Sequence, residues 1–136
     1  MLDENENDEE AIKVIFLGES KVGKTSIITR FTKDKFEKNL IATNGVLSYE
    51  KHYEINNINI LYVIWDTAGQ ERFRGMGRMF YQNAKIGILV YDSSSYKTFK
   101  ELKDYWYNEL IGNSSEDISN LKYYVIIKYS CCNCRK

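Results

Sequence analysis

Residues 18–25 read GESKVGKT, preceded by the apolar run IKVIFL at 12–17 and followed by SIITRFTK at 26–33. A nearly continuous apolar run suits a strand covered on both faces. Ile27, Ile28 and Phe31 fall at helical spacing, which predicts a helix over Lys24–Lys33. The eight residues between fit G-x-x-x-x-G-K-[ST], a pattern that a random chain of this length matches about once in a few hundred. Strand before and helix after is the setting its chemistry requires. Gly18 and Gly23 let the backbone turn and approach an anion with no Cβ in the way. Loop N–H groups and the helix N-terminus point at that anion. Lys24 places a positive charge between β- and γ-phosphates, and the Thr25 hydroxyl can ligate Mg²⁺, a hard cation that prefers oxygen. Glu19, Ser20, Lys21, Val22 and Ser26 complete the stretch expected to line the phosphates. The competing explanation is a glycine turn with no ligand, and a second motif weighs against it.

That motif is DTAG at 66–69, closing the run INILYVIW at 58–65. An acid at a C-terminal strand end beside such a loop is where a carboxylate reaches the Mg²⁺ shell. Gly69 can present a backbone N–H to a γ-phosphate, and Gln70 can orient an attacking water. Residues 46–55 read as a half-exposed strand, and Asn56-Asn57 as a turn that pairs it with 58–65 in an antiparallel hairpin. IGILVY at 86–91 and YYVIIK at 123–128 read as further buried strands. Ser95 is placed to cap a helix whose Phe99, Leu102, Trp106 and Leu110 share one face, expected to be core. Residues 35–44 and 112–120 read as loops. Strands alternating with helices predict an α/β fold: a mostly parallel, doubly wound P-loop NTPase sheet with one antiparallel edge strand.

Composition fits one domain of 136 residues. Six acids lie within residues 3–10, leaving 19 bases against 13 acids in the remainder. An acid block with nothing apolar to bury is expected to be a disordered arm over 1–10. The basic excess is small and has no stripe of interleaved aromatics, so nucleic acid is not an expected partner. No apolar run approaches 18 residues, and the acidic start differs from a signal peptide, so an intracellular chain is expected. Cys131, Cys132 and Cys134 all fall within 129–136, far in sequence from the single histidine, His52. They are expected to be free thiols on an irregular tail, because a metal knuckle needs separated ligand pairs.

Taken together, GESKVGKT, Phe36, Thr43, Gly45, IWDTAGQERFR at 64–74 and LVYDSS at 89–94 resemble the Rab branch of the Ras superfamily, over residues 11–128. The run WDTAGQERF at 65–73 is the most specific element. The resemblance implies a GTP/GDP switch that hydrolyses GTP with Mg²⁺ and regulates vesicle traffic. It implies that Phe36, twelve residues after Lys24, packs on the guanine. It implies Mg²⁺ ligation by Thr25, Thr43 and Asp66, γ-phosphate sensing by Thr43 and Gly69, and catalysis by Gln70. Activating, exchange and effector proteins are the implied partners. The implied place is the cytosolic face of endomembranes for a lipidated form.

The sequence departs from that family in several places. Switch I reads TNGVLS at 43–48 where T-I-G-x-x-F is usual, so Asn44 and Ser48 replace apolar effector-contact residues. YQNA at 81–84 stands where Y-R-G-A is common, and Lys21 where many relatives carry a small residue. The family's N-K-x-D motif, which selects guanine, does not occur in the 136 residues. CCNCRK matches neither a C-a-a-X box nor a C-C or C-x-C ending. A sequence cut short before N-K-x-D is the expectation. The alternative, a truncated pseudo-GTPase or binding protein without guanine specificity, stays open at this point.

Overall fold

The computed structural model describes residues 10–35, 45–67, 77–114 and 121–128. Its chain order is β1 (Glu10–Leu17), α1 (Lys24–Lys33), β2 (Val46–Ile55), β3 (Ile58–Thr67), α2 (Arg78–Tyr81), β4 (Ile86–Asp92), α3 (Tyr96–Glu101), a π-helical turn (Leu102–Trp106), α4 (Tyr107–Asn113) and β5 (Lys122–Lys128). The strands form one sheet in the order β2-β3-β1-β4-β5. Only the β2–β3 pairing is antiparallel; β1 runs parallel to both β3 and β4, and β4 parallel to β5. The predicted α/β architecture is therefore present, and β1 lies at its centre. Among the described residues no helix is long and apolar enough to cross a membrane.

The period of two along a strand divides the core between the two sheet faces. Ile15, Leu17 and Leu89 pack with Phe80, Tyr81, Leu102, Trp106 and Leu110 on the face covered by α2 and the residue 96–113 run. Val14, Phe16, Ile64 and Val90 pack with Val22 and Ile28 on the face covered by α1. The hairpin turn is set by Asn56 and Asn57, at φ 53° and 65°. Two positive φ values define the turn whose twist matches a right-handed strand pair. It fixes the register Ile55↔Ile58 through Val46↔Thr67.

Several boundaries differ from the sequence expectation. β1 starts at Glu10, inside the stretch expected to be an arm, and β3 extends to Thr67. Helix α4 continues through Gly112 and Asn113, so the loop expected from 112 begins later. The four-residue α2 is too short to leave a periodic signal. Phe99, expected to be core, is 39% exposed, and Phe31 on α1 is 45% exposed. Phe31 meets Tyr62 edge-on, and Phe99 stacks with Tyr91 and Tyr96 around a surface hollow. Ser95 occupies the N-cap of α3 without a side-chain capping bond. Thr98 organises that corner instead, its hydroxyl donating to Ser95 O at 2.8 Å and accepting from Asp92 N at 3.0 Å.

Two departures from the family pattern have a backbone cause. Lys21 sits at φ 64° and Asn83 at φ 61°, in the left-handed region that a residue without a Cβ adopts most easily. The glycine common at the second position fits that requirement. Asn tolerates it better than most residues do.

Gly87 shows why β4 carries a glycine in its buried half. A Cβ there would lie 2.6 Å from Leu110 Cδ2, on the helix packed over it. Gly87→Ala is expected to lower stability by about 2 kcal/mol and Leu110→Ala by about 3 kcal/mol. In the Leu110→Ala background the added methyl has room, so the Gly87→Ala cost should vanish. Equilibrium denaturation of the four chains measures the coupling; simple additivity would refute the contact.

Candidate functional site

The site forms where the sheet order reverses. From β1 the chain passes by α1 and the edge strand β2 to β3 on one side, and from β4 by residues 93–121 to β5 on the other. The C-terminal ends of β1 and β4 therefore flank a crevice, the usual ligand position in such sheets. Residues 18–23 leave β1 at this crevice and close on the N-terminus of α1.

Three positive φ values shape the loop: Gly18 at 141°, Lys21 at 64° and Gly23 at 101°. Gly18 has a second constraint, because a Cβ built on it would clash with the Val90 carbonyl oxygen of β4 and lie 3.3 Å from Val22 Cγ2. Val22 is buried and anchors the loop in the α1-side core. Gly23 is the N-cap of α1, with no side chain between the first helical N–H groups and the crevice. Glu19, Ser20, Gly23 and Ser26 are half-buried along the loop and first turn, while Lys21 is exposed.

Lys24 is only 5% exposed. Its ammonium donates to the carbonyls of Gly18, at 2.9 Å, and Glu19, at 2.8 Å, so the loop wraps its own lysine. Burial pushes the Lys24 ammonium down to about 8, against the raising pull of Asp66 and Glu19. Asp66, at the end of β3, is fully buried. The Thr25 hydroxyl donates to Asp66 Oδ2 at 2.6 Å. One carboxylate and one hydroxyl thus meet beside a buried cation, at a helix start lined with amide donors. That donor set suits a hard divalent cation sharing oxygens with a polyphosphate. Among the described residues, no three His, Cys, Asp or Glu side chains gather as a metal cage.

The structure thus brings together Lys24, Thr25 and Asp66 with the loop residues 18–23. Phe36, Thr43, Gly69 and Gln70 lie outside the described residues. Two neighbours of the site were given no role in it from the sequence. Thr67 Oγ1 donates to Phe16 O at 2.9 Å, tying β3 to β1 directly under the loop. Trp106, counted as core from its spacing, is core, yet its Nε1–H also donates to Glu19 Oε1 at 3.0 Å.

The loop geometry makes opposite predictions for its two kinds of left-handed residue. Gly18→Ala meets backbone oxygen that has nowhere to go, and should cost about 3 kcal/mol. Lys21→Gly relieves left-handed strain while loosening the unfolded chain, so stability should change by less than about 1 kcal/mol. Thermal unfolding of both variants tests this; a Gly18→Ala chain as stable as the parent would sink the loop geometry.

Comparison with known proteins agrees with this geometry. Residues 13–127 match the family model described as "Ras family". The chain is 42% identical over 104 residues to the Ras-related protein RABG3b of Arabidopsis thaliana, covering 76% of this chain and 51% of that protein. It is 42% identical over 99 residues to human Ras-related protein Rab-22A, covering 73% and 50%. It is 46% identical over 99 residues to Ras-related protein Rab-18 of Lymnaea stagnalis, covering 73% and 48%. The chain spans about half the length of the curated relatives it matches. With the glycine-lysine loop, the Thr25–Asp66 hydrogen bond and these relatives in agreement, the chain belongs to the Ras family of small GTPases, in its Rab-type branch.

Proposed function

We propose that this chain binds GTP and GDP with Mg²⁺, hydrolyses GTP, and works as a switch in vesicle traffic. The observation that carries the reading is the Thr25–Asp66 hydrogen bond at 2.6 Å beside the loop-wrapped ammonium of Lys24. Loop amides and Lys24 hold the phosphates, and Thr25 and Asp66 hold the cation. When bound, Mg²⁺ supplies charge neutralisation at the β- and γ-phosphate oxygens. In the same reading Thr43 adds a metal ligand, and Phe36 packs on the guanine. Thr43 and Gly69 sense the γ-phosphate, and Gln70 positions the attacking water. Loss of the γ-phosphate releases the segments bearing Thr43 and Gly69, which is the switch. Exchange, activating and effector proteins, acting at the cytosolic face of endomembranes, belong to this proposal.

Lys24 gives the reading a pH signature. Its folded value, about 8, lies below the ordinary 10.5. Between these values the unfolded chain binds the extra proton, so this group makes the free protein more stable as pH rises through that window. Anion binding needs the charged form and is lost in the same window.

Fluorescent GDP should bind in a Mg²⁺-dependent way and be displaced far better by GDP than by ADP. Affinity should fall roughly tenfold between pH 7 and pH 9. Lys24→Met should weaken binding by about tenfold to a hundredfold and also lower the stability of the free protein, since it strips the Gly18 and Glu19 carbonyls of their donor and the buried Asp66 of its cation. Equal displacement by ADP would refute guanine selection and favour the pseudo-GTPase alternative. Binding indifferent to Lys24 would refute the site.

A further inference from the structure

We propose that Trp106 is a positioning residue for the phosphate loop, acting through the carboxylate of Glu19. The inference rests on the phosphate-site reading above and deepens it. An acid within an anion-binding loop calls for an explanation, since a free carboxylate there repels phosphate. Here Glu19 Oε1 accepts a hydrogen bond from Trp106 Nε1 at 3.0 Å. The main-chain carbonyl of the same residue accepts from Lys24 Nζ at 2.8 Å. Glu19 is therefore held at both ends. Its backbone is tied to α1 on one sheet face, and its side chain to the 96–113 run on the other.

Trp106 is built to hold such a tether. It is fully buried, so its ring cannot follow the loop. It packs edge-to-face on Tyr105, with ring centroids 5.0 Å apart, and joins the cluster of Ile15, Leu17 and Leu110. It is also the last residue of the π-helical turn Leu102–Trp106. Leu102, Trp106 and Leu110 recur every four residues, a spacing that drifts around a regular α-helix. The wider turn corrects the drift and keeps all three buried, with the indole N–H delivered to the loop. Wide turns of this kind concentrate at functional sites. Gly18, Lys21 and Gly23 supply the loop's unusual backbone angles, and the Glu19 tether fixes where that shape sits. A loop fixed beforehand binds without a further ordering cost.

The test uses the full 136-residue chain and Mg²⁺–GDP as probe. Glu19→Met removes the acceptor and should weaken Mg²⁺–GDP binding about tenfold. Glu19→Gln keeps an acceptor oxygen and should stay within about threefold of the parent. Trp106→Phe should match Glu19→Met, and the double variant should be no weaker than either. The Trp106 indole N–H signal in the nucleotide-free chain should move in Glu19→Met and stay near its place in Glu19→Gln. Unchanged affinity in Glu19→Met, with only a lower unfolding temperature, overturns the positioning role and leaves a structural bond. Additive losses in the double variant, or an indole signal indifferent to Glu19→Met, overturn it as well. A parent chain that binds no Mg²⁺–GDP overturns the phosphate-site reading, and the positioning role with it. That result is distinct from a parent that binds while Glu19→Met binds equally.

Discussion

The site depends on one buried cation. Lys24 holds an ammonium at 5% exposure, where water does little to stabilise the charge. The protein answers with two carbonyl acceptors from the loop and with the fields of Asp66 and Glu19. Those carbonyls can reach the ammonium only when residues 18–23 fold back over the start of α1. That path needs left-handed angles at Gly18, Lys21 and Gly23. The lysine therefore shapes the loop, and the loop keeps the lysine buried. Solvation remains incomplete even so, which is why the ammonium falls to about 8. An anion beside the ammonium would add stabilisation to the charged form.

The rest of the sheet serves to hold three strand ends at fixed distances around that cation. Thr67 bonds across to Phe16, which keeps the end of β3 beside the end of β1. Asp66 then reaches Thr25 on the first turn of α1. On the opposite edge of β1, Gly18 fits against the Val90 carbonyl of β4 because it has no Cβ. Farther from the site, Lys13 of β1 lies 4.1 Å from the Trp65 ring centroid. It also donates to Gln82 O at 2.9 Å, so β1, β3 and the end of α2 are pinned by one side chain. Each contact joins elements distant in sequence, and together they fix β3, β4 and α1 around the central strand.

The sheet and the strand–loop–helix around Lys24 were legible because both are local patterns. IKVIFL, the glycine-lysine loop and the Ile27–Ile28 stripe lie within about twenty consecutive residues, and their chemistry depends on neighbours in the chain. The Asn56-Asn57 hairpin is local in the same way. What periodicity misjudged was exposure at positions whose burial depends on another element's reach. Phe99 has the right spacing, but the neighbouring elements leave it partly uncovered. The π-helical turn was not legible either, because it is fixed by three core side chains competing for one face. Glu19–Trp106 spans 87 positions, and no pattern within a chain marks such a pair.

The described site also divides the energetics of recognition. On the proposed function, loop amides, Lys24, Thr25 and Asp66 address phosphate oxygens and a cation, features common to every nucleoside triphosphate. Such contacts raise affinity for all of these ligands alike, and specificity is a difference of affinities. Choosing one base over another requires groups that pair with the base edge and leave a competitor's donors or acceptors unsatisfied. In this family that task falls to N-K-x-D, which does not occur among the 136 residues, whereas the proposed phosphate contacts fall between Gly18 and Gly69. On the proposed function, phosphate binding and base selection are thus separable in this chain. Any preference for guanine has to be generated by residues other than those that wrap Lys24.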